Sequence, residues 1–170
     1  MNQKMSAQEF ENTYHRYKQS LFRIAYSYVK NRADAEDMVQ EAFFKCLCQS
    51  PVFVSEEHEK RWLIRITVNL CKNHVKSFWH KNRAVMEELP DQMSVDLGEE
   101  ERSLWEEILA LPEKYKISMY LHYYEGYTCK EIAEILRCKE STVKMRLKKG
   151  RELLKIELME GEESYEIRGV

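Results

Sequence analysis

Glycine and proline are scarce, at 5 and 3 of 170 residues, too few for the many tight turns of an all-β chain. No run approaches the roughly 18 consecutive apolar residues of a membrane span. Residues 1–10 lack the charged-then-apolar pattern of a secretory signal, so a cytoplasmic chain, not itself membrane-embedded, is expected. The five cysteines, Cys46, Cys48, Cys71, Cys129 and Cys138, form no CxxC pair. An odd count without that spacing is a poor framework for disulfides or zinc. Cys46 and Cys48 form CxC, but neither His74 nor Cys71 stands at a supporting spacing, so these thiols read as small buried hydrophobes or incidental surface groups. No P-loop, dinucleotide fingerprint, HExxH or nucleophile elbow occurs. The expectation is a protein without catalytic residues, metal or cofactor, and not an enzyme.

What the chain does have is charge, unevenly placed. The formal net charge of −2 argues at face value against a nucleic-acid partner. Yet residues 1–83 carry 14 Lys/Arg against 9 Asp/Glu, residues 84–107 carry one against 9, and residues 108–170 carry 12 against 11. The balances are +5, −8 and +1. Near-neutrality is a cancellation, and it conceals interaction surfaces.

Periodicity predicts an all-α chain. Ser6 and Glu9 form a capping box ahead of Phe10, Tyr14, Tyr17, Leu21, Ala25 and Tyr28, which recur at three- and four-residue steps. A second helix is expected from about Asp34, with Asp34, Glu36 and Asp37 in its dipole-favoured first turn. Its apolar positions are Met38, Val39, Ala42, Phe43, Cys46 and Leu47. Ser50-Pro51 ends it, and Val52–Lys60 reads as a loop.

The third predicted helix, about Arg61–Arg83, is the most informative segment of the first half. Arg61, Arg65, Asn69, Lys72, Asn73, Lys76, His80 and Arg83 fall on one arc, with Leu63, Ile64, Ile66, Val68, Leu70, Cys71, Val75 and Phe78 opposite. Six Lys/Arg and no acid lie between Arg61 and Arg83. A solvated face usually mixes signs to gain i,i+4 pairs, whereas a face of one sign repels itself and is explained economically by an anionic partner. A solvated amphipathic helix is the plainer alternative. Core packing is the expectation for Phe78, while Trp62 and Trp79 could either pack or stack on bases.

Ala84–Glu101 loses periodicity, turns acidic and contains Pro90 and Gly98, the composition of a flexible linker. Ser103–Leu111 reads as a short helix, and Pro112 suits the first position of the next, which Gly126 can close in the left-handed conformation. Thr128 and Glu131 form a second capping box before Ile132, Ala133, Ile135 and Leu136. After a three-residue turn, Arg137-Cys138-Lys139, a basic helix from Glu140 is held inward by Val143 and Leu147. This is the layout of a helix-turn-helix, whose second helix enters the major groove. Seven Lys/Arg face one acid between Arg137 and Arg151. Glu140, Ser141, Lys144 and Arg146 are placed to reach base edges and phosphates, while Lys148, Lys149 and Arg151 suit phosphates, which position without specifying. An α-hairpin with a charged outer face is the plainer alternative.

DAEDMVQEAFFKCL (Asp34–Leu47), RWLIRITVNLCKNHVK (Arg61–Lys76) and LPEKYKISMYLHYYEGYTCKEIAEILRCKESTVKMRLKKGRELL (Leu111–Leu154) together resemble the extracytoplasmic-function branch of bacterial sigma factors, over about Phe10–Leu154. The resemblance implies two small helical domains, residues 1–83 and 103–158, joined by an acidic linker over 84–102 and followed by an acidic tail over 159–170. It implies docking on core RNA polymerase, through the clamp helices of the largest subunit and the flap of the second, with Asp37, Gln40 and Glu41 carrying the clamp contact. Arg61, Arg65, Asn69, Lys72, Asn73 and Lys76 would recognise and help melt the downstream promoter element, which calls for positive charge and groups that hold unstacked bases. In the family the loop at Val52–Lys60 forms part of the pocket for a flipped base. Thr128, Glu140, Ser141, Lys144, Arg146, Lys148, Lys149 and Arg151 would serve the upstream element. Sigma factors of this branch are commonly held by an anti-sigma protein.

The chain departs from the family pattern in places. Asn73 stands where Asp is usual, Ser77-Phe-Trp-His80 where arginines are usual, and Arg137 where glycine is usual. A non-glycine residue driven to positive φ there costs on the order of 1 kcal/mol, and Lys139 is a poor N-cap. A competing function from another class is a free-standing helix-turn-helix regulator whose first domain senses a ligand or dimerises. That reading explains Thr128–Arg151 but leaves the basic helix of the first half without a purpose.

Overall fold

The computed structural model describes residues 4–81 and 99–158. Arg83, residues 84–98 of the expected linker and the acidic tail 159–170 lie outside the described residues, as does the side chain of Trp79. The described residues form seven α-helices and fall into two units, one in each segment.

Caps set the first two boundaries. Helix α1 (Ala7–Val29) opens on the predicted box: the Glu9 N–H donates to Ser6 Oγ at 3.2 Å, and the Ser6 N–H donates to Glu9 Oε2 at 2.8 Å. These bonds hold the Glu9 carboxyl below its usual pKa. Lys30 then turns left-handed, with φ 53°. In helix α2 (Arg32–Gln49), Asn31 Oδ1 accepts from the Asp34 N–H at 3.0 Å, so the helix begins two residues before Asp34. It ends at left-handed Ser50, and Pro51 follows, unable to continue a helix.

Helix α3 runs from Glu56 to Lys81, not from Arg61. Ser55 Oγ accepts from the His58 N–H at 3.1 Å, and Glu56, Glu57 and Glu59 fill the first turn, where the helix dipole favours anions. The stretch expected as a loop is thus mostly helix. The helix is not free of acid either, since its three carboxylates sit at one end.

Helices α1, α2 and α3 pack pairwise around Leu21, Ile24, Ala25, Ala42, Phe43, Cys46, Leu63, Ile64, Val68 and Cys71, all buried. A polar tie joins α1 to the start of α3. Thr13 Oγ1 donates to buried Glu59 at 2.8 Å, Tyr17 OH donates to the Glu56 carbonyl at 3.1 Å, and Arg16 pairs with Glu56 at 3.0 Å. At the other end, His74 meets Asp34 at 3.4 Å. Asp34 lies in the first turn of α2, so residues a turn beyond His74 run past their cover. Phe78, expected in the core, is 44% exposed for this reason.

The second unit contains α4 (Glu99–Ala110), α5 (Glu113–Tyr123), α6 (Cys129–Leu136) and α7 (Glu140–Leu158). Helix α4 starts four residues ahead of Ser103, inside the segment expected as linker. Pro112 is the N-cap of α5 rather than its first residue. An aromatic cluster joins α4 to α5: Trp105 lies edge-on to Tyr120 at 5.4 Å, and Tyr120 stacks on Tyr124 at 5.4 Å. Gly126 takes φ 73°, reversing the chain as anticipated. Helices α5 and α7 approach closely at Gly150, where a Cβ would stand 2.7 Å from Met119 Sδ.

Candidate nucleic-acid and protein-docking surfaces

The outward face of α2 holds the first candidate surface. Met38, Val39, Ala42, Phe43 and Cys46 are buried, which turns Asp37, Gln40 and Glu41 to solvent. One turn further, Phe44 is 64% exposed, and Leu47, expected among the buried positions, is exposed too. Phe10, Tyr14, Gln40, Phe43, Phe44 and Leu47 line a shallow groove of about 290 Å³. Contiguous exposed apolar surface beside carboxylates is what a protein partner covers. The periodicity missed Phe44 because only its neighbour Phe43 completes the buried face.

The basic arc of α3 is the second surface, and its charge is graded. Arg61 pairs with Glu57 at 3.3 Å, so the N-terminal end is partly neutralised. Arg65 is half-buried, its Nε enclosed without a hydrogen-bond partner. Lys72 and Lys76 are exposed and face no carboxylate among the described residues. Asn69 is half-buried, whereas Asn73 is exposed and lines a shallow groove with Lys76, Ser77 and His80. Trp62 is half-buried and lies edge-on to Phe53 at 5.8 Å, beside a short loop that exposes Val52 and Val54. The arc joins amides to lysines that meet no carboxylate among the described residues, a set that can hold phosphates and the edges of unstacked bases, while exposed Phe78 lies on the opposite face of the helix.

Helices α6 and α7 build the third surface. Thr128 Oγ1 accepts from the Glu131 N–H at 3.3 Å, and Glu131 Oε2 accepts from the Thr128 N–H at 2.9 Å, so this hydroxyl is engaged in capping α6. Arg137 takes φ 54°, the left-handed conformation anticipated at that position, and the Cys138 N–H reaches back to the Ala133 carbonyl. Val143, Leu147, Gly150 and Leu154 bury one stripe of α7. Opposite it Glu140, Ser141, Lys144, Lys148 and Lys149 are exposed, whereas Arg146 and Arg151 are half-buried on the flanks. Lys144 pairs with Glu140 at 3.3 Å, Lys149 with Glu152 at 3.7 Å, and Lys148 has no acidic partner among the described residues. Met145, not among the sequence-predicted site residues, is 60% exposed at the centre of this face.

Two helical units, one with a basic amide-bearing helix and one with a helix-turn-helix, define a nucleic-acid-binding protein with two contact surfaces. Residues 13–80 match the family model "Sigma-70 region 2", and residues 101–154 match "Sigma-70, region 4". The RNA polymerase sigma factor SigV of Bacillus subtilis is 34% identical over 146 residues, spanning 84% of this chain and 86% of that protein. An ECF RNA polymerase sigma-E factor of Haemophilus influenzae is 31% identical over 157 residues, spanning 82% of each. Among solved structures, the sigma factor RpoE of Bartonella quintana, determined with the anti-sigma factor NepR, shares the fold with a TM-score of 0.73 at 19% identity, over 92% of this chain and 100% of that one. The chain belongs to the extracytoplasmic-function (ECF) branch of the sigma-70 family of RNA polymerase sigma factors. No helix among its described residues is long and apolar enough to cross a membrane.

Proposed function

We propose that this chain works in the cytoplasm as a dissociable promoter-specificity subunit, bringing core RNA polymerase to two-part promoters and performing no chemistry of its own. Residues 1–83 dock on the polymerase clamp helices and hold the downstream element. Residues 103–158 read the upstream element beside the polymerase flap, and 84–102 connect them. Asp37, Gln40 and Glu41 make the clamp contact, with Phe44 and Leu47 as its apolar centre. Arg61, Arg65, Asn69, Lys72, Asn73 and Lys76 grip the melted strand. Glu140, Ser141, Lys144, Arg146, Lys148, Lys149 and Arg151 serve the upstream duplex, and Thr128 places the N-terminus of α6 against its backbone. An anti-sigma protein, such as accompanies the solved relative, would hold the chain inactive by covering the α2 groove.

The observation that carries this reading is that each unit presents its own cationic helix face, while a separate apolar and acidic face on α2 remains open to a protein. A free-standing regulator could dimerise through that third face, but it has no use for a basic arc on α3 as well. Two modest surfaces acting together also account for a subunit that needs polymerase to hold both on DNA at once.

Reconstitution tests this. Chain plus core polymerase should give promoter-dependent transcription, and the chain alone should bind duplex weakly. Tight polymerase-independent binding to a palindrome would favour the regulator. Phe44→Ser should weaken core binding about tenfold, as expected for a buried aromatic anchor, and unchanged binding would remove Phe44 from the contact.

A further inference from the structure

The outward face of α7 carries one side chain with no role in phosphate binding or in hydrogen-bonded base recognition. Met145 lies opposite the buried stripe of Val143, Leu147, Gly150 and Leu154 and is 60% exposed. Its immediate surroundings are polar, with the Glu140–Lys144 pair on one side and Lys148 one turn on. A single exposed apolar residue is ordinary on most surfaces. Here it occupies the middle of the face that would enter the groove, the place of closest approach to base edges.

A thioether has no proton to donate and accepts only weakly. It therefore cannot discriminate bases through the donor and acceptor pattern of the groove. The one apolar feature displayed there is the C5-methyl group of thymine. Methionine is unbranched and adaptable, so it can follow such a methyl without a fixed rotamer. The lysines would set the register of the helix on the backbone, leaving the thioether to touch the base edge.

We propose that Met145 is a specificity-determining residue that selects thymine at one position of the upstream element through apolar contact with its methyl group. The proposal rests on α7 being the upstream reader. It is tested with the holoenzyme on a promoter selected from a pool randomised upstream, replacing each upstream thymine singly by deoxyuridine, which removes only the methyl. One position should lose about fourfold in affinity, the worth of one buried methyl group. That loss should vanish in Met145→Ala, which stays folded because the site is exposed and alanine favours helix. Lys148→Ala should instead weaken binding overall and keep the uracil sensitivity.

A wild-type holoenzyme indifferent to every uracil, a selected element without thymine, or a uracil penalty undiminished in Met145→Ala overturns the assignment while upstream protection persists. Absence of any upstream protection by the holoenzyme would instead overturn the reading of α7 itself, and Met145's role with it.

Discussion

Helices α3 and α7 are the most basic helices among the described residues, and they manage their charge differently. Helix α3 sorts its charges along its length, with Glu56, Glu57 and Glu59 in the first turn and Lys72 and Lys76, which meet no carboxylate among the described residues, four to five turns later. Helix α7 intersperses its charges, pairing Lys144 with Glu140 and Lys149 with Glu152 and leaving Lys148 between them. Amides accompany the lysines of α3. A hydroxyl and a thioether accompany those of α7. Polarised charge with hydrogen-bonding amides suits a flexible strand whose bases are unstacked. A face of alternating charge with an adaptable thioether at its centre suits a duplex groove. The comparison teaches that counting lysines would have made these helices equivalent, whereas their neighbours separate them.

The largest expected effect eliminates one side of the comparison. Gly150→Val drives a Cβ against Met119, itself buried, where even the first carbon would stand 2.7 Å from Sδ. Overpacking of this kind costs roughly 1–3 kcal/mol. Hydrogen exchange on the full chain should show α5, α6 and α7 losing protection while α1, α2 and α3 keep theirs. Equal loss in both units would mean that they are not separately stabilised.

Next comes salt dependence, which separates single strand from duplex. Each phosphate contact contributes about 0.7 to the log–log salt slope on single strands and about 0.9 on duplex. Replacing Lys72 and Lys76 by alanine should lower the holoenzyme's slope by about 1.4, and replacing Lys148 by about 0.9. A slope unmoved by the α3 pair would show that its lysines do not touch phosphate. Arg61→Ala should weaken DNA binding less than Lys72→Ala, because Glu57 already engages that guanidinium at 3.3 Å. The reverse order would deny the charge gradient along α3.

The smallest effect is chemical and resolves the two units by their thiols. Burial pushes the Cys71 thiol up to about 12 and the Cys46 thiol up to about 11 from an ordinary 9.0, the latter aided by nearby Glu59. Both stay protonated at neutral pH, so a thiolate-directed reagent should label exposed Cys48 first and half-buried Cys138 next. Because these folded values are raised, the two thiols contribute stability that is intact below pH 9.0 and declines as pH rises towards 11 and 12. In Gly150→Val, Cys129 of the second core should become reactive while Cys71 remains closed. Fast labelling of Cys71 in the wild-type protein would contradict its burial.

Much of this was legible in the chain because local chemistry set it. The Ser6–Glu9 and Thr128–Glu131 boxes, the left-handed turn at Arg137 and the inward Val143 and Leu147 depend on residues a few positions apart. The start of α3 was not, because Ser55 and three glutamates look like loop until their place in a helix dipole is known. Phe78 was misjudged because periodicity assigns a face but not how far the neighbouring helices extend over it. Phe44 and Met145 escaped for the opposite reason. They lie off the apolar stripes, and only a solvent-exposed position on a surface otherwise built for binding draws notice to them.

The central claim is that each unit reads its own promoter element, and one measurement addresses it directly. Holoenzymes carrying Asn69→Ala or Lys144→Ala are assayed by in vitro transcription on promoters with single changes in the upstream or downstream element. Asn69→Ala should flatten discrimination at the downstream element alone, and Lys144→Ala at the upstream element alone. If each substitution blurred both elements equally, the division between the two helices would be wrong.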